Sequence, residues 1–249
     1  MATRRSPRSS RAEPTARGAG SRRGYARVVV AGATGLVGRA LLARLVSEPQ
    51  ITSALALIRD PAQAGSLPGG VTALVLDVNK LAQDTGSPLP AVDWAFCCLG
   101  TTIRQAGSQA AFRAVDFDAV LAFARAAQAA GARRLAVVSS TGADPDSAVF
   151  YNRVKGELEQ ALTELALPRL VIARPSLLLG NRSALGQPLR VAELAAQALM
   201  PAFGWLLPSR LLPISADAVA LALLRGLQQD GPAVQVLESD ALQASAAAD

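Results

Sequence analysis

The sequence contains no histidine, and this absence excludes several kinds of active site. A Ser-His-Asp triad, a cysteine nucleophile activated by histidine and a histidine-ligated zinc site all need an imidazole. The only two cysteines, Cys97 and Cys98, are adjacent within an apolar run, which is a poor arrangement for a framework disulfide. We therefore expect no metal, two buried free thiols and a reducing compartment, taken here as the cytoplasm.

The sequence also lacks a continuous apolar run long enough to cross a membrane. The most apolar stretch, 191–213, is interrupted by Pro201, Gly204, Pro208 and Arg210, well short of the roughly 20 residues that a spanning helix requires. A cap buried over the sheet is the simplest interpretation of this stretch. A subunit contact, as in a homodimer, and a peripheral membrane patch are the alternatives.

Positive charge is concentrated in one part of the chain. The net charge is +6, and residues 1–24 hold seven arginines against the single acid Glu13, whereas acidic and basic residues cancel over 25–249. The folded part is therefore neutral and gives no reason to expect nucleic acid as a partner. The composition of 1–24, rich in Ser, Pro, Gly and Arg, predicts a disordered tail; an organelle transit peptide and a binding arm are alternative uses.

From Ala26 onward, short apolar runs alternate with segments of helical period, as in consecutive βα units. This pattern predicts a Rossmann-type, doubly wound α/β domain with a mostly parallel sheet over 25–249, in which about 176–214 form a small C-terminal cap. The predicted strands are 26–31, 52–58, 71–76, 92–98, 134–139, 169–173 and 233–237. The predicted helices include 36–46, 108–130, 148–166 and 215–228.

The first predicted strand runs directly into the glycine loop Gly32-Ala-Thr-Gly35-Leu-Val-Gly38 and then into an apolar helix. Gly32 permits the tight turn, Gly35 lets the backbone approach a phosphate, and Gly38 allows the helix to lie close on the strand. The spacing is G-x-x-G-x-x-G rather than G-x-G-x-x-G, but the strand before it and the helix after it indicate a dinucleotide site. The predicted cofactor contacts of this loop are Gly32, Thr34, Gly35, Leu36, Val37 and Gly38.

The choice of cofactor depends on the end of the second strand, where Arg59 precedes Asp60. An arginine can bind the 2′-phosphate of NADP, whereas a carboxylate binds the ribose 2′-hydroxyl of NAD. We therefore expect NADP(H), with NAD(H) as the alternative if Arg59 is a solvated surface residue. Asp77, at the end of the third strand, is predicted to bind the adenine amino group. Near the nicotinamide ribose, the fourth strand ends in Leu99, Gly100 and Thr101.

Tyr151 and Lys155 are four residues apart in a predicted helix and share one face. The chain has only two tyrosines and two lysines and otherwise uses arginine, which cannot release its proton. A nearby ammonium favours phenolate, so the pair can exchange a proton with a substrate nearer neutral pH, although the spacing alone also fits a surface pair. Hydroxyls that could polarise a substrate oxygen follow the fifth predicted strand at Ser139, Ser140 and Thr141, with turn or helix capping as the alternative role.

These motifs, in this order, resemble the short-chain dehydrogenase/reductase superfamily, especially its atypical branch. They are the glycine loop, LGTT at 99–102, SSTG at 139–142, YNRVK at 151–155 and Arg174-Pro175. Within that branch, FCCLGTT, VDFDAV, VVSSTGAD, YNRVKGELE and RPSLLLGNR are similar to the Tat-interacting NADPH-binding oxidoreductase group and its bacterial relatives. The likeness covers about 26–240.

The resemblance implies roles for particular residues. Tyr151 would be the proton donor or acceptor, Lys155 would hold the ribose hydroxyls, and Ser140 would polarise the substrate oxygen, with Thr141 close behind. Pro175 is implied as a cofactor contact, from which the following segment would close over the nicotinamide. Many members carry an asparagine on the long helix that precedes the tyrosine motif, where it completes a proton relay. This chain departs from them.

That departure is Asp116, within VDFDAV. The implied function is hydride transfer, with NADP(H), to or from a small carbonyl or alcohol. One alternative is an NADPH-binding sensor with little catalysis. Another is a nucleotide-sugar epimerase or dehydratase, which the short segment after Pro175 disfavours.

Overall fold

The computed structural model describes residues 25–81, 88–179 and 212–247, which form a seven-stranded parallel sheet with helices on both faces. The strands of the sheet are β1 Ala26–Ala31, β2 Ile51–Ile58, β3 Val71–Val75, β4 Trp94–Cys97, β5 Arg134–Val138, β6 Arg169–Arg174 and β9 Val234–Glu238, while β7 Leu178–Leu179 and β8 Ile214–Ser215 form a separate parallel pair. The helices are α1 Leu36–Leu45, α2 Ile103–Ala106, α3 Gln109–Arg113, α4 Val120–Ala129, α5 Phe150–Thr163, α6 Ala216–Gln228 and α7 Ser239–Ala247. A π-helical segment spans Ala114–Ala119, and 3₁₀ turns span Pro61–Ser66 and Val78–Lys80.

The strands follow the order β3-β2-β1-β4-β5-β6-β9, and every pair is parallel. This is the doubly wound order of a Rossmann fold with one strand added beyond β6, so the predicted fold class is confirmed. The chain moves outward in opposite directions from β1 and β4. A crevice is therefore expected at the carboxyl ends of these two strands, where ligands bind in such sheets.

The core lies on both faces of the sheet, and β1 shows how the sequence produces it. Val28 and Val30 point to the face covered by α1 and α6, whereas Val29 and Ala31 point to the face covered by α4 and α5. Because side chains alternate along a strand, a strand covered on both faces must be apolar at every position. This explains why the strands read as continuous apolar runs.

Several elements differ from the sequence prediction. In place of the single predicted helix 108–130, the structure has α3 and α4 joined by the π-helical segment. Ser108 caps the start of α3, where its Oγ accepts a hydrogen bond from Ala111 N–H. The helix predicted at 148–166 ends at Thr163. Helix α7 was not predicted. The tail 1–24, the apolar stretch up to residue 211 and most of the predicted cap, 180–211, lie outside the described residues.

Candidate active site and cofactor cavity

The glycine turn between β1 and α1 brings backbone close to backbone. Gly32 has a φ of 73°, and a Cβ there would lie 2.5 Å from the carbonyl oxygen of Cys98. A Cβ on Gly38 would lie 2.1 Å from the Gly32 carbonyl oxygen, so α1 rests on the turn only because that position has no side chain. Gly35 is the N-cap of α1 and supplies no side-chain cap, which leaves the first N–H groups of the helix directed outward. The turn is therefore a cradle for an anion.

A cavity of about 570 Å³ opens at the carboxyl edge of the sheet, beside the glycine turn. Of the predicted site residues, its wall contains Gly32, Thr34, Gly35, Leu36, Val37, Arg59, Leu99, Gly100, Thr101, Tyr151 and Lys155. Gly38, Asp77, Ser140 and Pro175 are not in the wall. The sequence therefore named residues from four separate segments that the fold brings around one space.

Arg59 and Asp60, which follow β2, have different surroundings. The Asp60 carboxylate caps the 3₁₀ turn by accepting a hydrogen bond from Ala62 N–H at 2.9 Å, and the Gln63 side chain accepts one from Asp60 N–H at 3.5 Å. Arg59 is exposed at the cavity wall and makes no hydrogen bond or ion pair with another described residue. The carboxylate is thus engaged in the turn, while the guanidinium is available to a ligand.

Asp77 is similarly engaged in the next 3₁₀ turn. Its Oδ1 accepts hydrogen bonds from the backbone N–H and from Nδ2 of Asn79, at 3.1 Å and 2.9 Å. Val78 and Asn79, which the sequence reasoning did not select, line the cavity in its place. The contact between Asp77 and an adenine amino group stays a prediction, and Asn79 adds a polar residue to the cavity wall.

Tyr151 and Lys155 lie one turn apart on α5, and both are in the cavity wall. The Tyr151 ring packs against Phe112, with 5.1 Å between ring centroids. Lys155 is only 2 % exposed. An ammonium buried to this extent needs a counter-ion, because an isolated charge away from water is strongly unfavourable.

The counter-ion of Lys155 is Asp116, in the π-helical segment. Its Oδ1 lies 2.7 Å from Lys155 Nζ, and its Oδ2 accepts a hydrogen bond from Thr101 N–H at 2.9 Å. Burial alone lowers the pKa of Lys155, but the charge of Asp116, helped by Tyr151 and Cys97, outweighs burial and raises that pKa above its ordinary value. One carboxylate therefore connects the ammonium to the loop that follows β4.

Asp116 stands out in the sequence as a departure from the family's asparagine, but the sequence prediction does not include this ion pair. A signal for it was present. Asp116 is four residues from both Phe112 and Val120, so it lies on the buried face of the predicted helix, whereas Asp118 does not. An acid on a buried helical face requires a cationic or hydrogen-bonding partner.

Two of the three hydroxyls after β5 are engaged by protein groups. Ser139 is buried, and its Oγ donates a hydrogen bond to Glu159 Oε1 at 2.5 Å. Thr141 Oγ1 donates one to the Arg174 carbonyl oxygen at 3.0 Å. Ser140 Oγ has only a 3.4 Å contact with the Thr141 carbonyl oxygen, so its proton is the least committed of the three. The role of Ser140 stays a prediction, since its side chain does not line the cavity.

Glu159 is a second residue of the site that is absent from the sequence prediction. It follows Lys155 by four positions and so extends the face of α5 that carries Tyr151 and Lys155. Arg174, at the end of β6, pairs with Glu159 at 2.6 Å and with Glu238, at the end of β9, at 2.8 Å. Hydrogen bonding to Glu159, more than to Glu238, raises the pKa of Arg174. This network fastens α5 to two strand ends and fixes the helix that carries the tyrosine and lysine.

The strand order, the glycine turn and the Tyr151–Lys155 helix together define an atypical short-chain dehydrogenase/reductase. The chain belongs to the NAD(P)H-binding family, whose model matches residues 32–172. It is 35% identical over 182 residues to Protein fmp52, mitochondrial, of Emericella nidulans, which covers 72% of this chain and 76% of that protein. It is 37% identical over 157 residues to Protein HTATIP2 of Rattus norvegicus, which covers 62% of this chain and 64% of that protein. The resemblance drawn from the motifs is confirmed.

Solved structures support the same fold. The Bordetella bronchiseptica enzyme WbmG in complex with NAD superposes with a TM-score of 0.62 at 15% identity and covers 88% of this chain and 74% of that one. The UDP-glucose 4-epimerase of Thermotoga maritima gives a TM-score of 0.63 at 13% identity, covering 85% and 76%. At such low identity the likeness shows the fold alone.

The prediction of a cytoplasmic location is wrong. Relatives from Emericella nidulans, Coccidioides immitis, Eremothecium gossypii and Candida albicans are all named as mitochondrial proteins. Reduced cysteines indicate a reducing compartment without specifying which one, so cysteine usage was an insufficient basis for the cytoplasm.

Two further findings concern membranes and metals. Within residues 25–81, 88–179 and 212–247, no helix has the length and apolar character that crossing a membrane demands. The same residues contain no group of three or more Cys, Asp or Glu side chains placed to hold a metal ion.

Proposed function

We propose that this protein is an NADP(H)-dependent oxidoreductase that transfers hydride to or from a small carbonyl or alcohol. The observation that carries the proposal is the convergence, in one cavity, of the glycine turn, Arg59 and the Tyr151–Lys155 pair. The cavity volume of about 570 Å³ is within the range of small-molecule and cofactor sites. A binding cradle and a proton-transfer pair are therefore neighbours, as hydride transfer requires.

The residues present fit NADP(H) at each end of the cavity. The glycine turn and the free N–H groups of α1 suit a pyrophosphate. The Arg59 guanidinium suits a 2′-phosphate, and the Asp60 carboxylate, which NAD would need at its ribose, is engaged as a cap. At the other end, the Lys155 ammonium, which is paired with Asp116, suits ribose hydroxyls.

The chemistry follows from these positions. When bound, the nicotinamide supplies a hydride to a carbonyl carbon or accepts one from an alcohol. In reduction, the Tyr151 hydroxyl gives its proton to the carbonyl oxygen, and the Lys155 ammonium stabilises the phenolate that remains. The family resemblance assigns the polarising of the same oxygen to Ser140, whose hydroxyl is weakly engaged. The phenolate then regains a proton from water that enters the open cavity.

The test combines cofactor binding with turnover. NADPH and NADH affinities are measured by calorimetry, and a panel of small aldehydes and ketones is screened for NADPH oxidation. Tyr151→Phe should lower kcat by about 100-fold or more, the typical contribution of general acid catalysis, with little change in NADPH affinity. Tyr25→Phe is the matched control, because Tyr25 is 62% exposed and is not in the cavity wall.

Two alternatives give different results in this test. If NADPH binds but no carbonyl shows Tyr151-dependent turnover, the protein is a cofactor sensor. If NADH binds more tightly than NADPH and a nucleotide sugar is converted, the protein is an epimerase or dehydratase, as the solved structures of similar fold are titled. The engagement of Asp60 by its own turn argues against this second outcome.

A further inference from the structure

The ion pair between Asp116 and Lys155 is placed where it can control proton transfer. Both side chains are almost fully buried, at 1% and 3% exposed, and Tyr151 lies one turn from Lys155 on α5. The second carboxylate oxygen of Asp116 accepts a hydrogen bond from Thr101 N–H, which helps to hold the carboxylate beside the ammonium. Asp116 is therefore part of the electrostatic surroundings of the pair.

The total charge of the site depends on Asp116. With Asp116 and Lys155 ionised and Tyr151 protonated, the three side chains are neutral together. Loss of the first proton from the Tyr151–Lys155 pair leaves a net negative charge beside buried groups, which is unfavourable in a medium of low dielectric constant. With asparagine at 116, the same loss would instead remove a net positive charge and would be favoured. The carboxylate therefore opposes release of that proton.

We propose that Asp116 is a positioning residue that holds the Tyr151–Lys155 pair in its protonated state, the state from which carbonyl reduction draws a proton, up to a higher pH than asparagine at 116 would. In that reaction bound NADPH would supply the hydride that the carbonyl carbon gains, and the carbonyl oxygen would take the Tyr151 proton. The products would be the alcohol and NADP⁺. This inference rests on the proposed function, but the effect of the Asp116 charge on the titration of the Tyr151–Lys155 pair can be measured without turnover.

The other titratable groups near the pair do not carry this role. Burial raises the pKa of the Cys97 thiol, on β4, to about 12, so Cys97 is neutral where Asp116 is charged. Arg113 on α3 and Glu157 on α5 pair with each other at 2.5 Å. Among the described residues, Asp116 is the carboxylate in contact with Lys155.

The composition of the chain allows a direct test. It has two tyrosines, Tyr25 and Tyr151, and two lysines, Lys80 and Lys155. A parent protein with Tyr25→Phe and Lys80→Arg therefore has one phenol and one lysine amine. After labelling with ¹³C at tyrosine Cζ and lysine Cε, NMR follows each group separately from about pH 6 to about pH 11, which spans their ordinary titration.

The test variant is Asp116→Asn in this parent, since asparagine keeps the shape of the side chain and an acceptor for Thr101 N–H. The first of the two resonances to titrate should do so at least about one pH unit lower than in the parent, the size expected for loss of a contacting charge. Asp118→Asn is the matched control, because Asp118 is exposed on the same π-helical segment and loses the same charge. Asp116→Glu, which restores the carboxylate, should return the titration toward the parent.

The outcomes separate the two proposals. An unchanged first titration in Asp116→Asn, or an equal shift in Asp118→Asn, overturns the role of Asp116. A shift found only in Asp116→Asn supports it, even if no substrate is ever turned over and the proposed oxidoreductase function fails. If turnover is found, the reduction rate of Asp116→Asn should also fall at a lower pH than that of the parent.

Discussion

Replacing Lys155 by methionine should destabilise the fold by far more than the loss of packing. Methionine keeps an unbranched side chain of similar length, but Asp116, which is 0% exposed, would lose its counter-ion and keep only the Thr101 N–H as a partner. Removal of one partner from a buried ion pair costs about 3–5 kcal/mol. This is a large part of the total stability of about 5–15 kcal/mol that is typical of a folded domain.

Urea denaturation measures this loss. If the free energy of unfolding falls by about 3 kcal/mol per molar urea, the urea concentration at the unfolding midpoint should be about 1–2 M lower in Lys155→Met than in wild type. Arg125 is exposed on α4, and Arg125→Met also replaces a cationic side chain by methionine. This control variant should leave the unfolding midpoint unchanged. A decrease in Lys155→Met no larger than in this control would show that Lys155 and Asp116 are not a buried pair.

A double-mutant cycle isolates the coupling within the pair. Asp116→Asn alone leaves a buried ammonium, but Asp116→Asn with Lys155→Met leaves no charge at all. The double variant should therefore be more stable than Lys155→Met, with a coupling of about 1–3 kcal/mol. Strictly additive losses would refute the reasoning, because independent residues do not compensate for each other.

The pH dependence of stability gives the same pair a second test. Because the pKa of Lys155 is raised on folding, its stabilising contribution is complete below the unfolded value of about 10.4 and is lost as pH rises through the higher folded value. In Asp116→Asn, burial lowers the pKa of Lys155 with less to oppose it. The unfolded chain then binds more protons, so stability rises with pH. The difference in urea midpoint from wild type should therefore be larger near pH 7 than near pH 9.5, and a constant difference would contradict this account.

Three further predictions concern the cofactor and the substrate. Arg59→Ala should weaken NADPH binding by about tenfold and leave NADH binding unchanged, because an exposed charge-assisted hydrogen bond contributes about 1.5 kcal/mol. The control Arg125→Ala should affect the binding of neither cofactor. Equal losses of affinity for both cofactors, measured by calorimetry in Arg59→Ala, would exclude a 2′-phosphate contact. Gly38→Ala should lower the thermal midpoint and abolish binding of both cofactors, since its Cβ would lie 2.1 Å from a carbonyl oxygen of the glycine turn. Gly65→Ala, whose Cβ would meet no atom within 4 Å, should leave both measurements as in wild type. Ser140→Ala should reduce kcat by about 100-fold without changing NADPH affinity, and an unchanged kcat would remove Ser140 from the reaction.

The sheet could be predicted from sequence because each strand is covered on both faces. Val28 to Ala31 must all be apolar for that reason, and the glycine turn that follows is unusual enough to mark the end of β1. Helix α7 could not be predicted in this way. Its described part buries the apolar side chain of Leu242 in the core next to α6 and otherwise carries small or polar residues, so no helical period is visible in the sequence.

The candidate site was predictable where its residues belong to one local motif, and not where they meet across the sheet. Tyr151 and Lys155 share a helical face whatever the surrounding fold, so their spacing was sufficient. The contact of Lys155 with Asp116 depends on how α5 packs beside the π-helical segment, and the contact of Arg174 with Glu238 depends on β6 pairing with β9. Neither packing nor strand order is contained in a local pattern.

The presence of an acid at 116, where the family resemblance leads one to expect asparagine, has a physical reason in the burial of Lys155. Asparagine could keep the hydrogen bond from Thr101 N–H, but its neutral amide would leave the ammonium without a counter-ion at 2% exposure. A lysine at this depth presents its charge to the cavity rather than to bulk water, where screening would weaken it. Asp116 is therefore better explained as the group that permits a buried lysine than as a lost relay. This requirement holds equally for a fast reductase and for a cofactor sensor, so Asp116 alone does not argue for weak catalysis.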